Sequence, residues 1–393
     1  MQESSTEDAL YPNQAFLCQR QEYQAMMQYH YTRYNTHSPG LVSRDSVRHQ
    51  LFHLWMRVHI WVELWVAPDA ASRLSADDKR EIIASLNGFC VQEGWDSIHR
   101  RLPPTARIEM AKVVAETMIN QFICTKFLDN SFWFMDAKLH ATDRNGDAHF
   151  PQRFQYLYER LKAVEPMDAA WLKTLTVQKC NELSFFGSPP PPTQLARHTA
   201  AHRTALLRSY GNELLERRVF QLLLKDEPRK AQRTQRDQAL RSLLEHAAQE
   251  MIEADGGLYA NLVVERLSDL PRTFQHGSDR TRLHGFHLGA MPGDGGRILM
   301  VTRPGIVFTD MQSLSHWNQL PPWRANAAEV LVAAKGKKAQ AEWLAITTTT
   351  TNTASHAEDD EEDAEEDEED DVEDAEDGDP VQEETYESGT SPE

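Results

Sequence analysis

Sulfur is scarce: four cysteines, Cys18, Cys90, Cys124 and Cys180, are spread over 393 residues, and no two form a Cys-x-x-Cys pair. That spacing supports neither a zinc knuckle nor a thioredoxin-like dithiol. Cys90 and Cys124 lie in apolar helical stretches, where a free thiol behaves as a small buried hydrophobe, and the usage fits a reducing intracellular compartment, cytoplasmic or nuclear. Long uninterrupted apolar runs are also missing. The best of them, Leu51 to Val66, contains His53, Arg57, His59 and Glu63. An arginine at the centre of a membrane helix costs about 2.5–3.5 kcal/mol on insertion scales, so this run is expected to be a core helix enclosed by others, and no membrane partner is expected. Met1 to Tyr11 is acidic and polar, without the basic start and apolar core of a signal peptide. Finally, residues 358–393 contain no lysine or arginine against 22 of the 60 acids, leaving 38 acids to face all 41 bases in the rest of the chain. The net charge of −19 therefore belongs to the tail, and the body is slightly basic.

What is present reads as helix. Hydrophobic residues make up 40% of the chain, enough for a sizeable core. Residues 1–40 hold an aromatic-rich helical segment, with Phe16, Tyr23, Met27 and Tyr34 at helical spacing between Gln14 and Tyr34, broken by Ser38-Pro39-Gly40. Residues 41–255 form a helical body. Ser43 or Asp45 caps a helix running to Pro68, and Ser75 with Asp78 resembles a capping box. The stripe Ile108, Ala111, Ala115, Met118, Phe122 marks the central helix. Helices over Gln152–Val164 and Asp168–Leu183 precede a proline-rich coil linker at 187–192. Thr193 then caps a long helical region to Leu224, bent at Gly211, and a further helix from Pro228 stops at Gly256-Gly257.

Residues 256–338 change character. Thr281 to Leu288 and Arg297 to Thr302, joined by a glycine-rich turn at 292–296, read as a β-hairpin, with short strands at 306–308 and 329–333. Residues 339–393 are a threonine-rich and acidic tail with too few apolar residues to fold, hence a disordered region. The expected fold class is thus mainly α, with a small β-hairpin-containing C-terminal segment.

The stretch Leu102–Ala137, LPPTARIEMAKVVAETMINQFICTKFLDNSFWFMDA, together with SRDSVRHQLFHLW and RILMVTRP, resembles a group of filamentous-fungal proteins. The resemblance covers most of the folded body. It implies a fungal intracellular protein, and no activity, cofactor or site residue.

Several motifs attract a functional reading and lose it on spacing. Asp143-Arg144-Asn145-Gly146-Asp147 begins like a calcium loop, but positions 6 and 12 are Ala148 and Phe154 instead of Gly and Glu, so an Asx-rich turn is expected. His49/His53 and His198/His202 are i, i+4 pairs without the third ligand of a catalytic zinc site. His284 and His287, if on a strand, point to opposite faces. The glycines of 289–296 lack the Lys-Ser/Thr of a phosphate loop. No metal, cofactor or catalytic residue is therefore assigned.

Arg197 to Arg241 carries eleven Lys or Arg against five acids. Arg197, Arg203, Arg208, Arg217, Arg218, Arg229, Lys230, Arg233 and Arg236 form a candidate basic patch, although interleaved leucines favour an ordinary solvated helix face. The leading functional expectation is a non-catalytic intracellular interaction protein whose acidic tail engages a basic protein or its own basic segment. The alternatives are an enzyme whose site is assembled from residues distant in sequence, such as the two His pairs, and nucleic-acid binding through 197–241, which is expected least.

Overall fold

Ser43 opens the first helix by accepting the Ser46 N–H, and α1 then runs Arg44–Trp65. The computed structural model describes residues 42–183, 191–227, 229–258, 260–287, 295–310 and 323–334. All of these lie in one compact unit, Met1–Trp343. The aromatic segment 14–34, most of the proline-rich linker, most of the glycine-rich turn and the tail lie outside the described residues.

After α1 come α2 (Ala70–Arg73) and α3 (Ala76–Ser85). The expected capping box is present: Ser75 Oγ accepts the Asp78 N–H while Asp78 accepts the Ser75 N–H. The hydroxyl and backbone hydrogen bonds from Ser75, with Arg218 beyond them, also hold the Asp78 carboxyl below its usual range. The chain turns at Gly88, whose φ of +84° few side chains tolerate. It continues through α4 (Trp95–Arg101), α5 (Pro104–Ile108) and α6 (Met110–Ile123), which ends in a π-turn, Cys124–Leu128. Four members of the expected central stripe, Ala111, Ala115, Met118 and Phe122, are buried. Ile108 is not: it is 71% exposed, because α5 stops there and the chain re-enters helix out of phase at Met110. Cys90, Cys124 and Cys180 are free and buried, and burial drives their thiol pKa values up, to about 12 for Cys90 and about 11 for Cys180.

Then follow α7 (Phe150–Val164), α8 (Pro166–Asn181), α9 (Gln194–Glu216, capped by Thr193), α10 (Arg218–Gln221) and α11 (Lys230–Gly257). Gly211 is no helix break, since α9 passes through it; a Cβ there would meet Arg241 Cγ at 2.7 Å, so the glycine permits close approach of α11. A buried ion pair, Lys173 Nζ to Asp255 Oδ1 at 2.5 Å, fastens α8 to α11.

Six strands complete the described fold: β1 (Ala260–Glu265), β2 (Thr281–Leu283), β3 (Ile298–Arg303), β4 (Gly305–Asp310), β5 (Trp323–Asn326) and β6 (Ala328–Val332). They form two three-stranded sheets, ordered β1-β4-β5 and β2-β6-β3. The fold is therefore mainly helical with a small C-terminal β portion, as the sequence indicates. The expected hairpin between 281–288 and 297–302 is not formed. β6 inserts between β2 and β3, parallel to the first and antiparallel to the second, and its run is buried throughout, as is that of β3. One core spans both portions. Thr117 and Asn120 of α6 bond Met300 and the Thr302 carbonyl of β3, and residues 89–91 extend the edge of β3 through Val91 N–H to Leu299 O.

Candidate functional site

Three largely apolar elements each carry one buried charge into this core. Glu116 sits in α6 between valine, alanine and methionine, Arg303 ends β3, and Glu329 lies in β6; they are 1%, 8% and 6% exposed. Charges buried so deeply persist only when paired. Arg303 bridges the two acids, donating from Nε to Glu116 Oε1 at 2.9 Å and placing Nη1 3.2 Å from Glu329 Oε2. Arg282 of β2 reaches Glu329 Oε2 at 3.0 Å. His284, just past β2, has Nε2 3.6 Å from Glu116 and 3.7 Å from Glu329, and His59 of α1 places Nδ1 3.4 Å from Glu116 Oε2. Burial by itself would raise the Glu116 pKa. The hydrogen bonds from His284 and His59 and the Arg303 charge outweigh it and hold the carboxyl well below the usual range. The Glu116 hydrogen bond raises the His59 pKa against the effect of burial.

Donor atoms of Glu116, His284 and Glu329 converge within 4.8 Å, close enough to suggest a metal centre. The chemistry does not fit. His284 Nδ1 accepts the Phe286 N–H at 3.2 Å, which places the proton of the neutral ring on Nε2, the nitrogen facing both carboxylates. That nitrogen has no lone pair for an ion, and Arg303 and Arg282 already supply two positive charges. The cluster is a charge-balanced clamp between α1, α6 and the β2-β6-β3 sheet. His287 takes no part in it: it lies in a 3₁₀ turn, 285–287, and its Nε2 accepts the Val332 N–H. Burial and the neighbouring His284 lower its pKa to about 4. The strand alternation expected to separate the two rings is not present: His284 follows the end of β2, and His287 lies in the 3₁₀ turn, bound to the Val332 N–H.

The His198/His202 pair of α9 gains a third group that its spacing did not reveal. Asp136 presents both oxygens 3.0 Å from His198 Nε2, and His202 Nδ1 lies 3.9 Å from Oδ2. Ala137, in the left-handed region at φ 65°, follows Asp136, whose Oδ1 accepts the Lys138 N–H. His49 and His53 stay on the exposed side of α1, where the His53 ring meets Phe52. Asp143 and Asp147 accept N–H groups of Asn145 and His149, the Asx-turn arrangement expected there.

The basic patch is dispersed. Arg217 pairs with Glu213 and lies over the Phe122 ring, Arg218 pairs with Asp78 and Glu81, and Arg236 is buried beside Asp237. Arg203 donates to Asn181, and Arg197 to the Thr193 carbonyl. Arg208, Arg229, Lys230 and Arg233 are exposed and form no ion pair among the described residues.

Sequence reading missed the clamp. Its signal lies in VVAETMIN, ILMVTRP and AAEVLVA: a lone charge inside an apolar element demands an opposite charge elsewhere. No protein-family model, curated protein or solved structure matches the chain. Among the described residues, no helix is long and apolar enough to cross a membrane.

Proposed function

We propose that the chain is a non-catalytic intracellular interaction protein whose acidic tail, residues 358–393, engages a basic protein partner. The observation that supports a non-catalytic role is the closure of the Glu116–Arg303–Glu329 clamp. Its carboxylates are committed to arginines, its central imidazole is held by a backbone donor, and its core members are buried from substrate. The tail supports binding: 22 carboxylates without an opposing base attract a cationic surface through many contacts, each worth at most about 1 kcal/mol. With a Debye length of about 8 Å at physiological ionic strength, such binding is salt-sensitive. Affinity capture with the full chain and with residues 1–357 as baits tests this. Basic proteins held by the full chain alone, and released at high salt, are the expected result. Equal capture by both baits defeats the proposal.

The enzyme alternative draws support from one observation, the meeting of Asp136, His198 and His202. Burial lowers the His202 pKa, which favours the neutral, ligand-competent ring. Near-stoichiometric zinc retained by purified protein and lost in His198→Asn would favour that alternative. Nucleic-acid binding through 197–241 is the weaker reading, because Arg217, Arg218 and Arg236 already face carboxylates.

A further inference from the structure

Helix α1 buries Leu51, Leu54, Trp55, Val58, Trp61 and Val62, yet it leaves Phe52, Met56, Ile60 and Leu64 53%, 37%, 52% and 56% exposed. The sequence expectation of a helix enclosed on nearly every side is thus met on one face only. The four exposed side chains recur every fourth residue, so they form one continuous apolar stripe, the pattern of a helix that docks a second helix. Arg57, also exposed, flanks it.

We propose that residues 14–34 of this same chain fold back as an amphipathic helix onto the α1 stripe. Their apolar residues Phe16, Tyr23, Met27 and Tyr34 have helical spacing, and 21 residues make a helix about 31 Å long, ample for a stripe about 18 Å from Phe52 to Leu64. Eight residues, 35–42, including Ser38-Pro39-Gly40, join that segment to the Ser43 cap, within the usual range for adjacent antiparallel helices. In an antiparallel pair each step back along one helix matches a step forward along the other. Setting Met27 opposite Phe52 puts Tyr23 opposite Met56 and Phe16 within one residue of Leu64, with Ile60 between the last two. The same register puts Glu22 opposite Arg57, so the flanking charges are complementary. A tether this short gives effective concentrations on the order of millimolar, above those of a second copy or a separate partner in a cell. Four side chains also fall well short of the roughly 800 Å² per partner of a stable dimer interface.

Hydrogen exchange on the full chain tests this, with Ile60→Asp/Leu64→Asp as the stripe variant and Val164→Asp, at a site 74% exposed, as control. The amides of 14–34 are expected to exchange at least about tenfold more slowly than in a free peptide of that sequence. The protection should vanish in the stripe variant and persist in the control, while α6 amides stay protected in both. A second variant, Tyr23→Asp/Met27→Asp, leaves α1 intact and should raise the fluorescence of an apolar dye severalfold. Free-peptide exchange in the unaltered chain overturns the proposal. So does protection that survives in the stripe variant, dye fluorescence unchanged in the second variant, or protection that appears only with dimer in sedimentation.

Discussion

At the scale of single residues, the strongest demand in this molecule is the one that Glu116 and Arg303 make on each other. Glu116→Gln leaves the Arg303 guanidinium buried without its main counter-charge, and breaking a buried pair in this way costs about 3–5 kcal/mol. Urea denaturation should read that loss, and adding Arg303→Met should recover part of it. The pH dependence has two signs. His59 has its pKa raised on folding, so its contribution is complete below 6.5 and is lost as pH rises through the folded value. Glu116 has its pKa lowered, so its contribution is present above 4.5 and is lost as pH falls through the folded value. From pH 6 to 8 the lowered pKa values of His99, His202, His246 and His287 act in the opposite sense, so His59 is read by difference: stability should rise more, or fall less, with pH in His59→Gln than in the unaltered chain. An equal slope in both would disconnect His59 from the clamp.

At the scale of elements, burial follows helix phase. Phe122→Ala removes a ring that is 2% exposed and should cost about 3–5 kcal/mol, whereas Ile108→Ala, less than one turn before the buried Ala111, should stay within about 0.5 kcal/mol. Thermal melts of the two variants read this difference, and equal losses would contradict the phase break at Glu109. This contrast also shows what was legible. Caps at Ser43, Ser75 and Thr193 are local hydrogen-bond chemistry and could be read directly. The phase shift between Ile108 and Met110 has no local signal, because the apolar spacing of the stripe runs on across Glu109. The β2-β6-β3 order was not legible, because parallel pairing of 281–283 with 328–330 has no local turn to announce it. Asp136 meets His198 across 62 residues for the same reason.

At the scale of the whole molecule, the described fold and the acidic tail divide the chemistry between them. Nearly every apolar residue precedes Thr347, so a chain ending at 346 should melt within a few degrees of the full one; a larger drop would assign the tail a share in stability. The order of the strands also bears on how the protein is made. Arg303 follows Glu116 by 187 residues, and β6, the centre of its sheet, comes later still. At ribosomal speeds of about 5–20 residues per second, α6 waits about 10–40 s for its counter-charge. A chain stalled before Glu329 should therefore be digested readily by protease where the completed one resists. For that interval a newborn copy holds Glu116 without Arg303 and α6 without the sheet that covers it, so the fold closes only once its last strands have been made.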